Sequence, residues 1–503
     1  MSQTGPTPLT PDDGPTEAIQ SGNWPRFQDI PEPRMVALYT ANGSGTKLYQ
    51  GFIDGHPEVY MVPAYPLMYF YAHWEEWSSE MPTDRTWADI IDVFCVKHAS
   101  VIDTRRISGF DGLAELGDDR SEFIAIDEAV FRSYLAHLLA NEAISGRTFL
   151  LAVHYAYAYC RNENLKLKTV LVYHIHVHEY LPQYLIPDFP ELLIIGTVRD
   201  PRSNFSGRYN SSEVAVDAHR YDATDAAIFK RRVYYFISRY LYESLEVLSG
   251  VSEDRLRVVR HEDLFYDAPA VLRKTAAFIG ISEHPCLSQI TFGGQLWWGD
   301  QIYDMEPMNT VNPRIVSESW KKKIGRRDWY VFEGLFRNYM RKYGYEPELY
   351  TANGWIERIR LYLTMLLPST VEWGVFIDYL RPTSFAKFIR ACCDEASGRT
   401  PFKDYGFNAF YRHKWTQKDL RIWRPRRYRE YLKKCLQNRE VSRGLGAFIS
   451  LRIAQTVFVA INLIRYVTAI ISCPVYLVRR WRVTAGRFWR AARHDEILPD
   501  TLP

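Results

Sequence analysis

The sequence predicts an α/β fold in which a central parallel β-sheet is flanked by helices. Three observations predict it: short apolar runs recur through the first 350 residues, helix-like segments separate these runs, and polar or Gly-rich residues follow several of them directly. Continuous apolar strands that alternate with helices are typical of a parallel sheet buried on both faces. The predicted strands are residues 34–40, 58–63, 168–177, 191–200 and 255–263, and the predicted helices are residues 123–141, 225–249 and 267–279.

A chain of 503 residues is too long for one ordinary core, so we expect more than one domain. Residues 1–30 are polar, Pro-rich and acidic, and we predict a flexible tail there. Residues 31–350 carry the α/β pattern, and residues 351–503 are predicted to form a mainly helical, basic region. The tail has no apolar signal core and the seven cysteines form no C-x-x-C pair, so we expect a cytoplasmic protein with reduced thiols.

The first predicted strand is followed by a Gly-rich turn, "ANGSGTKL", at residues 41–48. Gly43 and Gly45 allow a tight turn whose backbone N–H groups converge on an anion at a helix N-terminus. Thr46 adds a hydroxyl and Lys47 a positive charge. The order Gly-Thr-Lys differs from the Gly-Lys-Ser/Thr ending of nucleoside-triphosphate loops. The turn therefore predicts a phosphate cradle of another kind, and the alternative is an ordinary strand-to-helix turn.

Two further predicted strands end in residues that can carry chemistry. Residues 168–177 end in alternating histidines, and residues 191–200 end in "RDPR", which contains Arg199. The carboxyl ends of parallel strands meet at one edge of a sheet, where such folds bind their ligands. Together with the Gly-rich turn, these residues predict a single site. The histidines are His174, His176 and His178.

These motifs, over residues 34–345, resemble those of sulfotransferases that use PAPS (3′-phosphoadenosine-5′-phosphosulfate) as the sulfuryl donor. The Ser-Gly-Thr of the turn, with a helix that ends in His56 and Pro57, resembles the family's 5′-phosphosulfate loop. "VRDPRSNFSGRY" resembles the 3′-phosphate element, and "VRHEDLFYDAPAVLRKTAAFIGI" resembles a structural run of the family. The resemblance implies a P-loop-like sulfotransferase fold, with a core like that of bacterial or Golgi-type carbohydrate sulfotransferases.

The resemblance also implies which residues bind the donor. Gly43 stands where the family usually has Lys or Arg, so we expect Lys47 to supply that charge instead. Ser206 is one residue short of the family's position for the 3′-phosphate serine, and we prefer it to Ser203. The donor-binding residues implied are Gly43, Ser44, Gly45, Thr46, Lys47 and Leu48 in the loop, and Arg199, Ser206 and Ser203 in the 3′-phosphate element.

A late segment, residues 312–329, resembles a loop that closes over the nucleotide in the family. The resemblance implies that Trp320 packs near adenine and that Lys323 or Arg326 meets the 3′-phosphate. The alternative is that "WKKK" begins a solvated helix.

Three interpretations of the histidines are open. They can be a solvated strand end, or a metal site, since His-x-His on a strand suits zinc. The third interpretation comes from the resemblance, which places His176 at the family's general base and His174 at a family lysine. An imidazole titrates near neutrality and can take a proton from an attacking hydroxyl. On this interpretation His176 is the base, and His174 and Lys47 help to stabilise the charge at the sulfuryl group. No metal is required.

The positive charge of the chain is concentrated at its C-terminal end. Residues 401–503 hold 21 Lys/Arg and 7 Asp/Glu, a net charge of +14, although the whole chain carries +3. Residues 453–478 are apolar except for Arg465 and a few neutral polar residues. A central arginine opposes a membrane span, at about 3 kcal/mol on insertion scales. We therefore predict a peripheral or monotopic attachment to an anionic membrane surface. The alternative is a buried helix, and nucleic acid is a weaker choice of partner.

The predicted function is transfer of the PAPS sulfuryl group to a hydroxyl of a glycan or lipid-linked acceptor. The predicted place is the cytoplasmic face of a membrane. The alternative is a membrane-docked protein that keeps the nucleotide-binding fold but has weakened catalysis, because Gly43 replaces the usual basic residue.

Overall fold

In the computed structural model, contacts divide the chain into two compact units. The first comprises Met1–Arg199, Tyr240–Ser317 and Ile497–Pro503, and the second comprises Asp200–Arg239 and Glu318–Glu496. The predicted domain boundaries after residues 30 and 350 remain predictions. The structure describes residues 24–40, 43–63, 67, 70–71, 73–75, 81, 84–106, 112–175, 180–206, 247–248, 251–299, 318–322, 324–351 and 354–366, and nine positions between residues 449 and 467.

The first unit is built on a five-stranded parallel sheet in the order β2-β3-β1-β4-β5. The predicted central parallel sheet is therefore confirmed, and with the Gly-rich turn after β1 the fold is of the P-loop-like α/β type. The first strand matches its predicted run, and each of the other four lies inside its run and is four residues shorter. The strands are β1 (Arg34–Thr40), β2 (Val59–Tyr60), β3 (Val170–Ile175), β4 (Leu193–Val198) and β5 (Leu256–Arg260).

Burial on both faces explains why these strands read as continuous apolar runs. Every residue of β3 is buried, and Val36, Ala37 and Leu38 of the central strand β1 are fully inaccessible to solvent. Such burial stabilises the sheet by about 25 cal/mol for each Å² of apolar surface removed from water. The register places Leu38 beside His174 of β3, so β1 and β3 end at the same edge.

Helices surround this sheet. Predicted helices 123–141 and 267–279 are confirmed in shortened form, and helix 225–249 lies outside the described residues apart from helical residues 247–248. Among the described residues, the α-helices of four or more residues in the first unit are α1 (Thr46–Ile53), α2 (Trp87–Lys97), α3 (Ala99–Ile102), α4 (Glu128–Leu139), α5 (Gly146–Cys160), α6 (Asp263–Tyr266) and α7 (Ala268–Ile279). A short antiparallel hairpin is formed by β6 (Thr291–Phe292) and β7 (Gln295–Leu296).

Side-chain caps fix where several of these helices begin. Thr86 and Asp89 form a capping box at α2, and Asp127 accepts hydrogen bonds from two backbone N–H groups of α4. Asp267 caps α7, and Gly280 ends that helix in the left-handed conformation. A cap of this kind stabilises a helix by about 1 kcal/mol.

The described part of the second unit is mainly helical. Residues 201–206 are helical, and α8 (Arg326–Leu335), α9 (Arg337–Lys342) and α10 (Trp355–Leu366) follow later in the chain. Leu361 of α10 packs against Gly334 of α8, and the Tyr330 hydroxyl donates to a carboxylate oxygen of Glu357 at 2.7 Å. These contacts fix α10 on α8.

A buried ion pair lies at the centre of these helices. The Arg202 guanidinium donates to Glu333 Oε1 at 2.6 Å, and Glu333 is fully inaccessible to solvent. Arg202 also pairs with Asp200 at 2.8 Å. Glu333 in turn accepts hydrogen bonds from three successive backbone N–H groups, those of Glu348, Leu349 and Tyr350. The pair therefore fixes the chain where it leaves α9.

Candidate anion-binding site

The turn after β1 has the geometry of an anion cradle. Gly43 and Gly45 have φ values of 94° and 82°, in the left-handed region that favours glycine. Gly45 is the N-cap of α1, and the first turn of a helix has no intrahelical acceptors for its N–H groups. Ser44 and Thr46 are buried beside it. The chain thus presents a helix N-terminus at the carboxyl end of the central strand.

Lys47 places a positive charge in the first turn of α1. Its side chain is only 3% exposed, and Nζ lies 4.9 Å from the centre of the Trp297 ring. Trp297 directly follows the β6–β7 hairpin. Asp54 anchors that hairpin, because its carboxylate accepts from Thr291 Oγ1 and Gly294 N, each at 2.9 Å. The hairpin therefore holds an aromatic face against the lysine, which favours the cation by about 1 kcal/mol.

Arg199 brings a second positive charge to the turn. It follows β4, the neighbour of β1, and its guanidinium donates to the Gly43 carbonyl at 3.2 Å. The predicted loop and the predicted phosphate-binding arginine are therefore in contact. The Arg199 side chain therefore contacts the turn, and Lys47 is the second residue of the helix that follows it, so both add positive charge near the turn, which suits an anion.

His174 lies at the end of β3, on the other side of β1. Its Nδ1 is 3.0 Å from Oε1 of Gln50 in α1, and Gln50 Nε2 donates to the Val62 carbonyl at 3.0 Å. Because the amide nitrogen of Gln50 is committed to Val62, its oxygen accepts from His174 Nδ1–H. Gln50 thus sets the tautomer and orientation of His174. His176 and His178 lie outside the described residues, so their predicted roles remain predictions.

His261 lies at the end of β5 and contacts the cradle. Its backbone N–H donates to the Val198 carbonyl at 2.7 Å, and a Cβ placed on Gly45 would lie 1.9 Å from its Nδ1. Gly45 is therefore required by this close approach as well as by its positive φ. Burial, and secondarily the charge of Arg199, hold the pKa of His261 well below its usual value, so its imidazole is neutral at physiological pH.

The remaining predicted donor residues belong to the second unit. Ser206 is buried and Ser203 is half-buried, both in helical residues 201–206. The Trp320 ring has the Arg202 guanidinium 4.5 Å above it and the edge of Trp329 against it. Lys323 lies outside the described residues. The assignment of these side chains to the nucleotide remains a prediction.

Within the described ranges, no cluster of three or more His, Cys, Asp or Glu side chains is arranged to hold a metal ion. In the same part of the chain, no helix combines the length and apolar character that crossing a membrane requires.

Sequence reasoning missed three residues that shape this site: Gln50, His261 and Trp297. His261 was missed because its motif resembles a run with a structural role in the family. Its position directly after a buried strand was nevertheless a usable signal, because that strand ends at the same sheet edge as the cradle. Gln50 lies on α1 one turn after Thr46, so its helical spacing placed it near the cradle. Trp297 had no local signal, because its contact with Lys47 spans 250 residues of chain.

The chain is similar to solved sulfotransferases. The sulfotransferase domain from the curacin biosynthetic pathway is 14% identical, with a TM-score of 0.31 and coverage of 67% of this chain and 99% of that one. The sulfotransferase domain from the Synechococcus PCC 7002 olefin synthase is 15% identical, with a TM-score of 0.30 and coverage of 67% and 96%. A sulfotransferase from Alicyclobacillus acidocaldarius is 14% identical, with a TM-score of 0.25 and coverage of 52% and 89%.

No family model and no curated protein matches the chain. The solved structures named above belong to the family that the sequence motifs resemble. Their identities and TM-scores are too low to assign a reaction to this chain. The description of the fold therefore rests on the strand order, and the proposal of a function rests on the geometry of the site.

Proposed function

We propose that the protein is a sulfotransferase that moves the sulfuryl group of PAPS to an acceptor hydroxyl. The observation that carries the proposal is the Gly43–Gly45 turn at the end of the central strand, where Arg199 donates to the Gly43 carbonyl and where the helix that begins after Gly45 carries Lys47 in its first turn. The motif resemblance assigns this turn to the 5′-phosphosulfate of the donor. The basic, helix-capping geometry of the turn is what a phosphate group needs.

The residues present fit a phosphosulfate. Gly43 and Gly45 have the positive φ values of a tight turn, and Lys47 and Arg199 supply positive charge. PAPS supplies a sulfuryl group activated by a phosphate leaving group. Thr46, Lys47 and the amide groups of α1 would hold the phosphosulfate and stabilise the charge that develops on its oxygens. Ser206, Ser203, Trp320 and Lys323 keep their sequence-based assignment to the rest of the nucleotide.

The acceptor hydroxyl requires a proton acceptor. We assign this role to His176, which follows the described end of β3 by one residue, on the basis of the motif resemblance. His174, oriented by Gln50 at 3.0 Å, stands two residues earlier in the sequence, and we assign to it the stabilisation of charge at the sulfuryl group. The acceptor class that we propose is a glycan or a lipid-linked molecule.

The second candidate function is a nucleotide-binding protein with weakened catalysis, which the glycine at position 43 favours. Mass spectrometry of acceptors incubated with PAPS and the intact protein separates the two. A mass gain of one sulfuryl group on any acceptor that depends on both protein and PAPS supports the transferase. PAP (3′-phosphoadenosine 5′-phosphate) binding without a sulfated product over a broad panel of glycan and lipid-linked alcohols supports the alternative.

We also propose that the protein docks on an anionic membrane. The helix α10 exposes four large apolar side chains, of which Trp355 and Ile356 are 71% and 65% exposed. Arg358 and Arg360 are exposed beside them. Apolar and aromatic residues flanked by cations are typical of helices that lie in a membrane interface. The other two apolar residues are Ile359 and Leu363.

Flotation with anionic liposomes tests the docking proposal. The intact protein should float, and high salt should weaken but not abolish the association, because salt screens the basic residues and not the inserted apolar ones. The double substitution Ile359→Glu and Leu363→Glu should lower the bound fraction roughly tenfold or more, since each buried apolar side chain contributes about 1.5–3 kcal/mol. Val96→Glu, at a position 75% exposed on α2, is the matched control. Equal flotation of both variants would refute a role for α10.

A further inference from the structure

His261 has a buried nitrogen with no hydrogen-bond partner. The residue is 6% exposed, and among the described residues no group pairs with its Nδ1. Leaving such a nitrogen unsatisfied costs the free energy of its desolvation, so a native structure that keeps one requires an explanation. His154 shows the ordinary arrangement: it is equally buried in α5, but its Nδ1 lies 2.7 Å from the Leu150 carbonyl.

The position of this nitrogen points to a ligand. Nδ1 lies beside Gly45, the residue that caps the helix of the cradle, and the ring is held there from two sides. Phe265 packs edge-on at 4.8 Å between ring centres, and the His261 backbone is bonded to Val198. The ring is therefore fixed with its unsatisfied atom at the N-terminus of α1.

We infer that His261 is a donor-binding residue whose Nδ1–H hydrogen-bonds an oxygen of the 5′-phosphate group held by the Gly43–Gly45 turn. This inference rests on the proposed function for the choice of nucleotide. An anionic oxygen accepts a bond from a neutral imidazole, so His261 adds a directed hydrogen bond where Lys47 and Arg199 add charge. A phosphate oxygen bound at the turn would give His261 Nδ1 the hydrogen-bond partner that it lacks among the described residues.

Calorimetric titration with 5′-AMP, 3′-AMP and PAP tests the inference on the full chain. His261→Leu should lower the affinity for 5′-AMP and for PAP by the same factor, about 10- to 100-fold, and leave the affinity for 3′-AMP unchanged. The reason is that the substitution removes a hydrogen bond to the charged 5′-phosphate, which 3′-AMP lacks. His261→Asn, whose amide reaches the position of Nδ1, should recover most of the affinity. His154→Leu is the control for the loss of a buried histidine and should leave all three affinities unchanged.

A second measurement uses the unsubstituted protein, so it does not depend on whether a variant folds. The ¹⁵N chemical shifts of the His261 imidazole in the unsubstituted protein should report an Nδ1–H hydrogen bond when 5′-AMP is added, and no change with 3′-AMP. If PAP binds and neither the His261→Leu affinities nor the Nδ1 shift responds to 5′-AMP, the inference is wrong while the proposed function stands. If PAP does not bind the intact protein, the proposed function itself fails.

Discussion

Replacing His176 with alanine is expected to lower the rate of sulfuryl transfer by about 10²- to 10⁴-fold, the range that a positioned general base contributes. The variant should bind PAP almost as tightly as the unsubstituted protein, because the cradle at Gly43–Gly45 and its cations are unchanged. The rate of the unsubstituted protein should fall as pH is lowered, since the base must be unprotonated, and this acid limb should disappear in the variant. Initial rates from the mass-spectrometric assay across pH measure both effects.

His178→Ala is the matched control, since it removes an imidazole two residues further on that has no assigned role. Full activity in His176→Ala would show that the acceptor proton leaves by another route. Zinc that copurifies with the protein and is lost with any one of the three histidines would support the metal interpretation instead.

Replacing Glu333 with alanine is expected to lower the free energy of unfolding of the second unit by about 3–5 kcal/mol. The substitution removes one partner of a buried ion pair and leaves Arg202 in a site that is 6% exposed. It also removes the acceptor of three backbone N–H groups. Denaturant unfolding followed by tryptophan fluorescence measures the change, because Trp329 donates to the same carboxylate.

Glu348→Ala is the control for this experiment. Glu348 pairs with Lys321 at 2.6 Å, but its side chain is 40% exposed, so the loss should be within about 1 kcal/mol. If Glu333→Ala is as mild as Glu348→Ala, the buried pair does not stabilise the fold.

The same carboxylate predicts a pH dependence of stability. Burial alone raises the pKa of Glu333, but its backbone N–H donors outweigh burial, so the pKa lies below its usual value. A carboxylate with a lowered folded-state pKa contributes stability above its unfolded-state pKa and loses it as pH falls through the folded-state value. Stability should therefore fall below about pH 4.5, and Glu333→Gln should flatten that dependence.

The sheet could be predicted from the sequence because its strands are buried on both faces. Runs such as residues 191–200 are apolar without interruption, and a parallel sheet is the common reason for that pattern. The helix α5 was missed for a related reason. Residues 149–158 are buried all round, so its sequence has no polar face and no helical period to detect.

The cradle was predictable in part. Gly43, Gly45 and Lys47 form a local motif, and local motifs can be read without tertiary structure. The roles of His261 and Trp297 depend on contacts between residues more than 200 positions apart in the chain, and no spacing rule encodes such contacts. For Trp320 the sequence predicted a contact with adenine. Its aromatic face contacts Arg202, and the sequence did not indicate that contact.

The measurement that tests the account most directly is calorimetric titration of the full chain with PAP. We expect saturable binding, weakened by Lys47→Ala and by Arg199→Ala, because each substitution removes a positive charge from the turn that we assign to the phosphosulfate. Val96→Glu, far from the cradle in sequence and exposed on α2, should leave the affinity unchanged. No binding of PAP or PAPS at about millimolar concentration, where even weak sites are occupied, would contradict the central claim.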